Sequence, residues 1–269
     1  MTRLRSAGGL TAPWLSALAL AWALAQPLGA QAQVQVPHHA PSLVVAVYAK
    51  PADRARLRGA LARRQAARLA AWRKRGVLSG YRLLFTRYAD AGVWDALEVL
   101  NFRDETALAR WSRVERRTPG GLPADVLVAA SQIVITPTDQ VRSARGPRET
   151  ANPVFLAIPY QALVSTPDYL KYLDDYTLPQ FQGWMSEGVL DGYDIELSRY
   201  PADRPWLSMI LLRYRDDAAL ARRDETIAKV RARLAQDPAW KAISDNKKAM
   251  RVEKVAAVAE QLTSAGDAR

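Results

Sequence analysis

Glu98 and Glu196 each stand in the middle of a short, mostly apolar run, ALEVLN and YDIELS. A carboxylate forced into such surroundings has its pKa raised towards the range useful to a general base. Alternate positions of the runs 82–88 and 194–200 carry Arg82, Thr86 and Tyr88, then Asp194, Ser198 and Tyr200. One chemistry such a set supports is proton abstraction from an activated carbon acid. Glu98 or Glu196 would be the base, and Arg82, Tyr88 or Tyr200 would steady the enolate-like anion. A second is the binding of a small, partly apolar molecule with no bond broken. The plainest is a set of salt bridges between two parts of one fold, Arg82 against Asp194 among them.

Other chemistries fall away on composition. The 269 residues include no cysteine and only two histidines, His38 and His39, so disulfides, thiolate metal sites and cysteine nucleophiles are excluded. The histidine pair lies in a polar, proline-bounded stretch (QVQVPHHAP) that reads as a solvated lead-in. Asp174-Asp175 and Asp216-Asp217 read as helix-surface pairs and a cap, not as a carboxylate metal loop. No glycine-rich phosphate loop, nucleophile elbow or dinucleotide fingerprint occurs. Neither metal nor cofactor is expected. With 49% hydrophobic and 24% charged residues the chain is globular in composition.

The elements that must position these residues are written twice. An offset of 112 aligns 72–110 with 184–222 without a gap, and 16 of the 39 positions are identical. They include Trp72/Trp184, Gly76-Val77-Leu78 with Gly188-Val189-Leu190, Arg87-Tyr88 with Arg199-Tyr200, and Trp94/Trp206. The same offset places Tyr48 on Tyr160, which predicts first helices of equal length. Each copy reads β-α-β-β-α-β. The first has strands over 43–48, 80–88, 94–102 and 132–135, with helices over 53–75 and 104–117. The second has strands over 154–159, 192–200, 205–214 and 250–258, with helices over 166–187 and 216–234; Asp237-Pro238-Ala239-Trp240 opens an extra short helix. Residues 137–153 read as a linker, which gives units at 43–136 and 154–262 and a tail at 263–269. By strand parity Tyr81, Leu83, Phe85 and Arg87 lie under the helices, with Tyr193, Ile195, Leu197 and Arg199 as their counterparts. The alternate, more polar face turns to the space between the copies. The duplicated aromatics are expected to fill equivalent core niches.

A β-α-β-β-α-β unit is the ferredoxin-like motif, whose bare sheet face needs a cover. The fold expected is therefore α+β: two tandem ferredoxin-like units packed sheet to sheet as one intramolecular α+β barrel. The run from Trp206 through Leu212-Arg213-Tyr214-Arg215-Asp216, Ala219 and Arg222 to Asp237-Pro238-Ala239-Trp240 is similar to the NIPSNAP-like pattern. The arrangement resembles the dimeric α+β barrel superfamily, with its NIPSNAP-like, EthD-like and antibiotic-biosynthesis-monooxygenase-like domains. That resemblance implies a cofactor-free oxygenase or isomerase, a decarboxylase, a haem enzyme or a protein without catalysis. Haem enzymes of this architecture hold iron through a histidine, and residues 43–269 contain none.

Arg3 and Arg5, the apolar run Trp14–Ala25 and the small residues at Ala30-Gln31-Ala32 read as a secretory leader over 1–32. A periplasmic or secreted protein with no later membrane span is expected, preceded by a flexible lead-in over 33–42. Charge is lopsided. Residues 33–150 carry 20 basic and 10 acidic side chains, and 151–269 carry 16 and 17. The first helix holds Arg54, Arg58, Arg63, Arg64 and Arg73, a face that could dock on an anionic envelope surface or a second copy of the chain. Nucleic acid is not expected, since no aromatic is interleaved on that helix to stack bases. Three readings stand: an exported small-molecule binder with its cavity between the copies, a cofactor-independent enzyme, and an envelope interaction module.

Overall fold

The computed structural model describes residues 39–147, 150 and 152–262; the leader, most of the lead-in and the tail at 263–269 lie outside them. The first half contains β1 (Ala40–Tyr48), α1 (Arg54–Ala60), α2 (Ala66–Lys74), β2 (Gly80–Thr86), β3 (Ala96–Asn101), α3 (Glu105–Glu115), α4 (Ala124–Ala129) and β4 (Gln132–Arg145). The second contains β5 (Val154–Ala162), α5 (Thr166–Tyr172), α6 (Leu178–Ser186), β6 (Leu190–Ser198), β7 (Ser208–Tyr214), α7 (Asp217–Ala221), α8 (Arg223–Leu234), α9 (Pro238–Met250), β8 (Arg251–Glu253) and β9 (Ala257–Gln261). Among these residues no helix is long and apolar enough to cross a membrane.

Each half orders its strands alike, β4-β1-β3-β2 and β9-β5-β7-β6, and all pairs are antiparallel. The last strand of each half then hydrogen-bonds to the second strand of the other. β4 pairs with β6 from Thr138↔Ser198 to Arg145↔Gly192, and β9 pairs with β2 through Leu84↔Gln261, Phe85↔Glu260 and Thr86↔Ala259. The result is a closed eight-stranded α+β barrel of two ferredoxin-like halves, with β8 added on the edge of β5. Helices cover the outside, so strands such as SLVVAVY are apolar on both faces. Asp104 and Asp216 cap the second helices by accepting from the Ala107 and Ala219 amides at 2.8 and 2.7 Å. The first helices both stop at a left-handed glycine, Gly76 and Gly188, with φ of 70°.

Four sequence expectations change. The strand expected over 250–258 is split: α9 runs to Met250, β8 adds to the edge of β5, and β9 (Ala257–Gln261) is the last strand of the second half. The stretch 137–145, expected as linker, is the second part of β4. Pro137 stands at the end of the β4–β6 ladder, where its carbonyl accepts from the Arg199 amide at 3.0 Å and its missing N–H ends the pairing on that side, and a bulge between Gln140 and Arg142 carries the strand on. The lead-in ends earlier than expected, because β1 begins at Ala40. The offset in the first strands is 113, not 112. Val45 pairs with Glu98 as Ile158 pairs with Ile210, so Val47, and not Tyr48, matches Tyr160. Copy one thus has one more residue between its first strand and first helix. The offset returns to 112 in the helices, where each half inserts a π-helical turn at the same place, Leu61–Gln65 and Leu173–Thr177.

The halves contact each other reciprocally, as two-fold related subunits do. Arg87 pairs with Asp217, and the equivalent Arg199 pairs with Glu105 at 2.5 Å. In copy one the helix side is sealed by Trp72 and Trp111, edge to face at 4.9 Å, packed on Gly121. Gly121 has φ of 68°, and a Cβ there would lie 2.7 Å from the Trp72 ring. Gly121→Ala is therefore expected to cost about 2–4 kcal/mol, through backbone strain plus overpacking. Denaturant titration checks this, and a cost under about 0.5 kcal/mol would contradict the packing.

Candidate functional site

The two glutamates do not share a site. Glu196 faces the barrel lumen, fully buried, and accepts from Ser42 Oγ at 2.5 Å, Thr138 Oγ1 at 3.0 Å and Gln140 Nε2 at 3.4 Å. Glu98 points the other way, under the helices, where Gln65 Nε2 donates to it at 3.1 Å from the π-helical turn. Its neighbours Leu97 and Val99 take the lumen side. Burial raises both carboxyls: Glu98 is pushed up to about 8 and Glu196 to about 7, the latter also by Asp194. Hydrogen bonds to each offset only part of that rise.

The remaining residues of the polar strand face divide three ways. Arg82 and Asp194, equivalent positions of the two copies, meet in the lumen at 3.6 Å. Thr86 and Ser198 are buried, and Thr86 Oγ1 accepts from Arg54 at 2.9 Å. Tyr88 and Tyr200 lie beyond the strand ends and are 73% and 66% exposed, so they do not face the space between the copies as expected. On the first helix three of the five arginines are engaged within the chain. Arg54 pairs with Asp95 at 2.8 Å, Arg58 with Glu260 at 2.5 Å and Arg64 with Asp125 at 3.4 Å, while Arg63 and Arg73 are exposed.

The space between the copies, expected to hold a ligand, is largely filled. Val44, Leu84, Trp94, Leu97, Val99, Phe155, Trp206, Met209 and Leu211 pack there as one cluster. A polar cavity of about 260 Å³ remains at one end of the lumen, lined by Arg82, Asn101, Gln140, Ser143, Arg145 and Asp194.

A larger cavity, about 790 Å³, lies between sheet and helices of the second half. Its wall is aromatic: Tyr160, Tyr172, Tyr176, Phe181 and Trp184 line it. Tyr172 stacks on Tyr176 at 5.1 Å, and Tyr176 on Trp240 at 5.0 Å. Five cationic residues, Arg223, Arg231, Lys247, Lys248 and Arg251, line it against two acidic ones, Asp224 and Glu253. The Arg251 guanidinium lies 3.7 Å from the Tyr160 ring centre and 5.2 Å from that of Tyr172. Tyr160 donates to Glu253 Oε2 at 3.2 Å, and Arg231 Nε donates to Gln180 Oε1 at 2.8 Å. Among the lining residues, Tyr176 Oη, Thr177 Oγ1 and Trp184 Nε1 are buried without a hydrogen-bond partner, as are Arg223 Nε and Arg251 Nη1 of guanidinium groups that otherwise engage the Tyr214 and Tyr169 phenols. All five can donate.

This cavity was missed at the sequence level. Its signal is the spacing of Tyr169, Tyr172 and Tyr176 along one helix face, where the aligned positions of copy one are Leu57, Ala60 and Arg64. In copy one Trp111 stands at the position aligned with Arg223, and with Leu122 and Val126 it belongs to the apolar core there. Haem does not suit the donor set of the larger cavity, which offers no imidazole, thiolate or thioether. Burial raises the Tyr160 and Tyr172 phenols, which opposes a tyrosinate ligand. Neither Glu98 nor Glu196 lines either cavity.

The fold is shared with solved structures of low sequence identity. A candidate monooxygenase from Lactobacillus acidophilus superposes with a TM-score of 0.52 at 13% identity, over 84% of this chain and 95% of that one. A candidate monooxygenase from Fusobacterium nucleatum gives 0.52 at 12%, over 84% and 94%. An anthrone oxidase-like protein gives 0.50 at 11%, over 86% and 95%. No protein-family profile matches the chain, and no curated protein matches it either.

The buried carboxyls make stability depend on pH. Folded Glu98 keeps its proton up to about 8 where an unperturbed glutamate releases it at 4.5, so folding takes up a proton between these values. Stability therefore falls as pH rises through that window. Glu98→Gln, neutral throughout, is expected to match the parent at pH 5 and to exceed it at pH 9 by on the order of 3 kcal/mol. Thermal denaturation at the two pH values checks this; an equal difference at both would contradict it.

Proposed function

The eight-stranded α+β barrel of two ferredoxin-like halves is the fold of the dimeric α+β barrel superfamily, and from it we propose that this chain binds a small amphiphilic organic anion in the cavity of its second half. The observation that carries the reading is the pairing of an aromatic wall with an excess of positive charge, beside buried and unpartnered donors on Tyr176, Thr177 and Trp184. Buried donors normally find acceptors, and leaving one unmade costs about 1–3 kcal/mol. A ligand with an aromatic or aliphatic body and a carboxylate or sulfonate head offers what the wall lacks. The volume of about 790 Å³ lies within the range of organic ligand sites. Half-buried Lys247 and exposed Lys248 stand at the rim, where they would draw an anion in.

A binding role needs no carboxylate base, and the positions of Glu98 and Glu196 away from both cavities favour it over proton abstraction. We further propose, from the leader read over 1–32, that this binding takes place outside the cytoplasm. Titration with 8-anilinonaphthalene-1-sulfonate, an aromatic sulfonate, tests it by fluorescence. One saturable site per chain is expected, weakened tenfold or more in Arg251→Gln and in Arg223→Gln. Unsaturable binding, or saturable binding indifferent to both substitutions, would overturn the reading.

A further inference from the structure

We infer that the lumen end is a second, independent site, which takes a compact oxyanion between Arg82, Asn101 and Ser143. The cavity there, about 260 Å³, holds two guanidinium groups and one carboxylate among its lining side chains. That carboxylate is already served. Arg145 Nη2 lies 2.6 Å from both oxygens of Asp194, and Gln140 Nε2 donates to one of them at 3.0 Å. Arg145 is spent as well, since its Nη1 donates to the Ala144 and Tyr193 carbonyls at 2.7 and 2.9 Å.

Arg82 is left over. Its Nε stands 3.6 Å from Asp194 without a hydrogen bond, and its Nη1 makes only a long 3.4 Å contact with its own neighbour's carbonyl. Across β2 and β3 the adjoining Asn101 contributes a buried Nδ2 with no acceptor. Glu196 does not supply the missing charge, because its oxygens are engaged by Ser42, Thr138 and Gln140. Burial and the nearby Arg145, Arg213 and Arg73 lower the Arg82 pKa against the pull of Asp194, as an under-compensated cation requires.

The geometry suits a group whose oxygens accept from Arg82 in a fork and from Asn101 and Ser143 beside it. The space is too small for the amphiphile assigned to the other cavity, and it suits a short carboxylate or inorganic phosphate. Duplication accounts for the surplus cation. Positions 82 and 194 face each other on the pseudo-two-fold axis, so in a symmetric dimer they would be identical and of like charge. Arg82 and Asp194 have become complementary, and recruitment of Arg145 by the longer β4 then frees Arg82 for a ligand.

Isothermal titration of the protein with succinate and with phosphate, at ionic strength held constant with sodium chloride, tests the site. Saturable binding of one or both anions is expected, with the arms showing which head group is preferred. Arg82→Gln should weaken it tenfold or more and Asn101→Leu severalfold, while Arg251→Gln leaves it unchanged. Should Arg82→Gln not fold, phenylglyoxal modification of the parent gives a second readout: the preferred anion should protect Arg82, and chloride should not. Binding insensitive to Arg82→Gln, no binding beyond the chloride control, or no protection of Arg82 would overturn the inference. Weakening by Arg251→Gln would also overturn it, since the two sites would then not be independent.

Discussion

A four-stranded ferredoxin-like sheet leaves a bare face and two edges rich in unpaired N–H and C=O groups, and water can satisfy only the exposed ones. Here both problems are met by one device, the crossing of β4 and β9 into the other half. The crossing removes the edges, faces the bare sheets towards each other and fixes the lumen. It also fixes which residues can meet. Because β4 and β9 run in equivalent registers, the halves are bound by reciprocal contacts such as Arg87–Asp217 and Arg199–Glu105, and position 82 falls opposite position 194.

Joining the halves in one chain releases them from identity. Some of the duplicated positions that have diverged separate the cavity of the second half from the closed core of the first. Glu98 under the first helices answers to Ile210, which lines the second half's cavity. Trp111 in the first core answers to Arg223 on the cavity wall, and Leu57, Ala60 and Arg64 answer to three tyrosines. One half has kept a closed core and the other has opened one. The lumen, full of Trp94, Trp206, Leu84 and Met209, serves mainly to hold the halves together.

The element order, the duplication and the side of β2 and β6 that faces the helices were legible in the sequence. The first and third rest on local patterns, glycine stops, aspartate caps and strict alternation, and the duplication on residue identity at a fixed offset. The length of β4 was not legible, because Pro137 and the polar run after it look like a linker until a partner strand is present. The face of Glu98 was hidden by a strand apolar on both sides, where alternation carries no information. The π-helical turns that bring Gln65 to Glu98 and Thr177 to the cavity leave no signature in composition or spacing. Arg251 joins the site only because β8 folds back onto β5, a tertiary event.

That all of this rests on closure within one chain can be examined through Thr138 and Ser198, facing residues of β4 and β6. They lie next to a hydrogen-bonded position, where the Arg199 amide donates to the Pro137 carbonyl at 3.0 Å, and so form the closer type of cross-strand pair. The natural chain has no cysteine, so a Thr138→Cys/Ser198→Cys variant would report on this pair alone. Non-reducing electrophoresis after mild oxidation is expected to show an internally crosslinked single chain at every protein concentration. Covalent dimers that persist on dilution would mean that β4 pairs with β6 of another molecule, and the lumen-end cavity, which takes Gln140, Ser143 and Arg145 from β4, would then not be built within one chain.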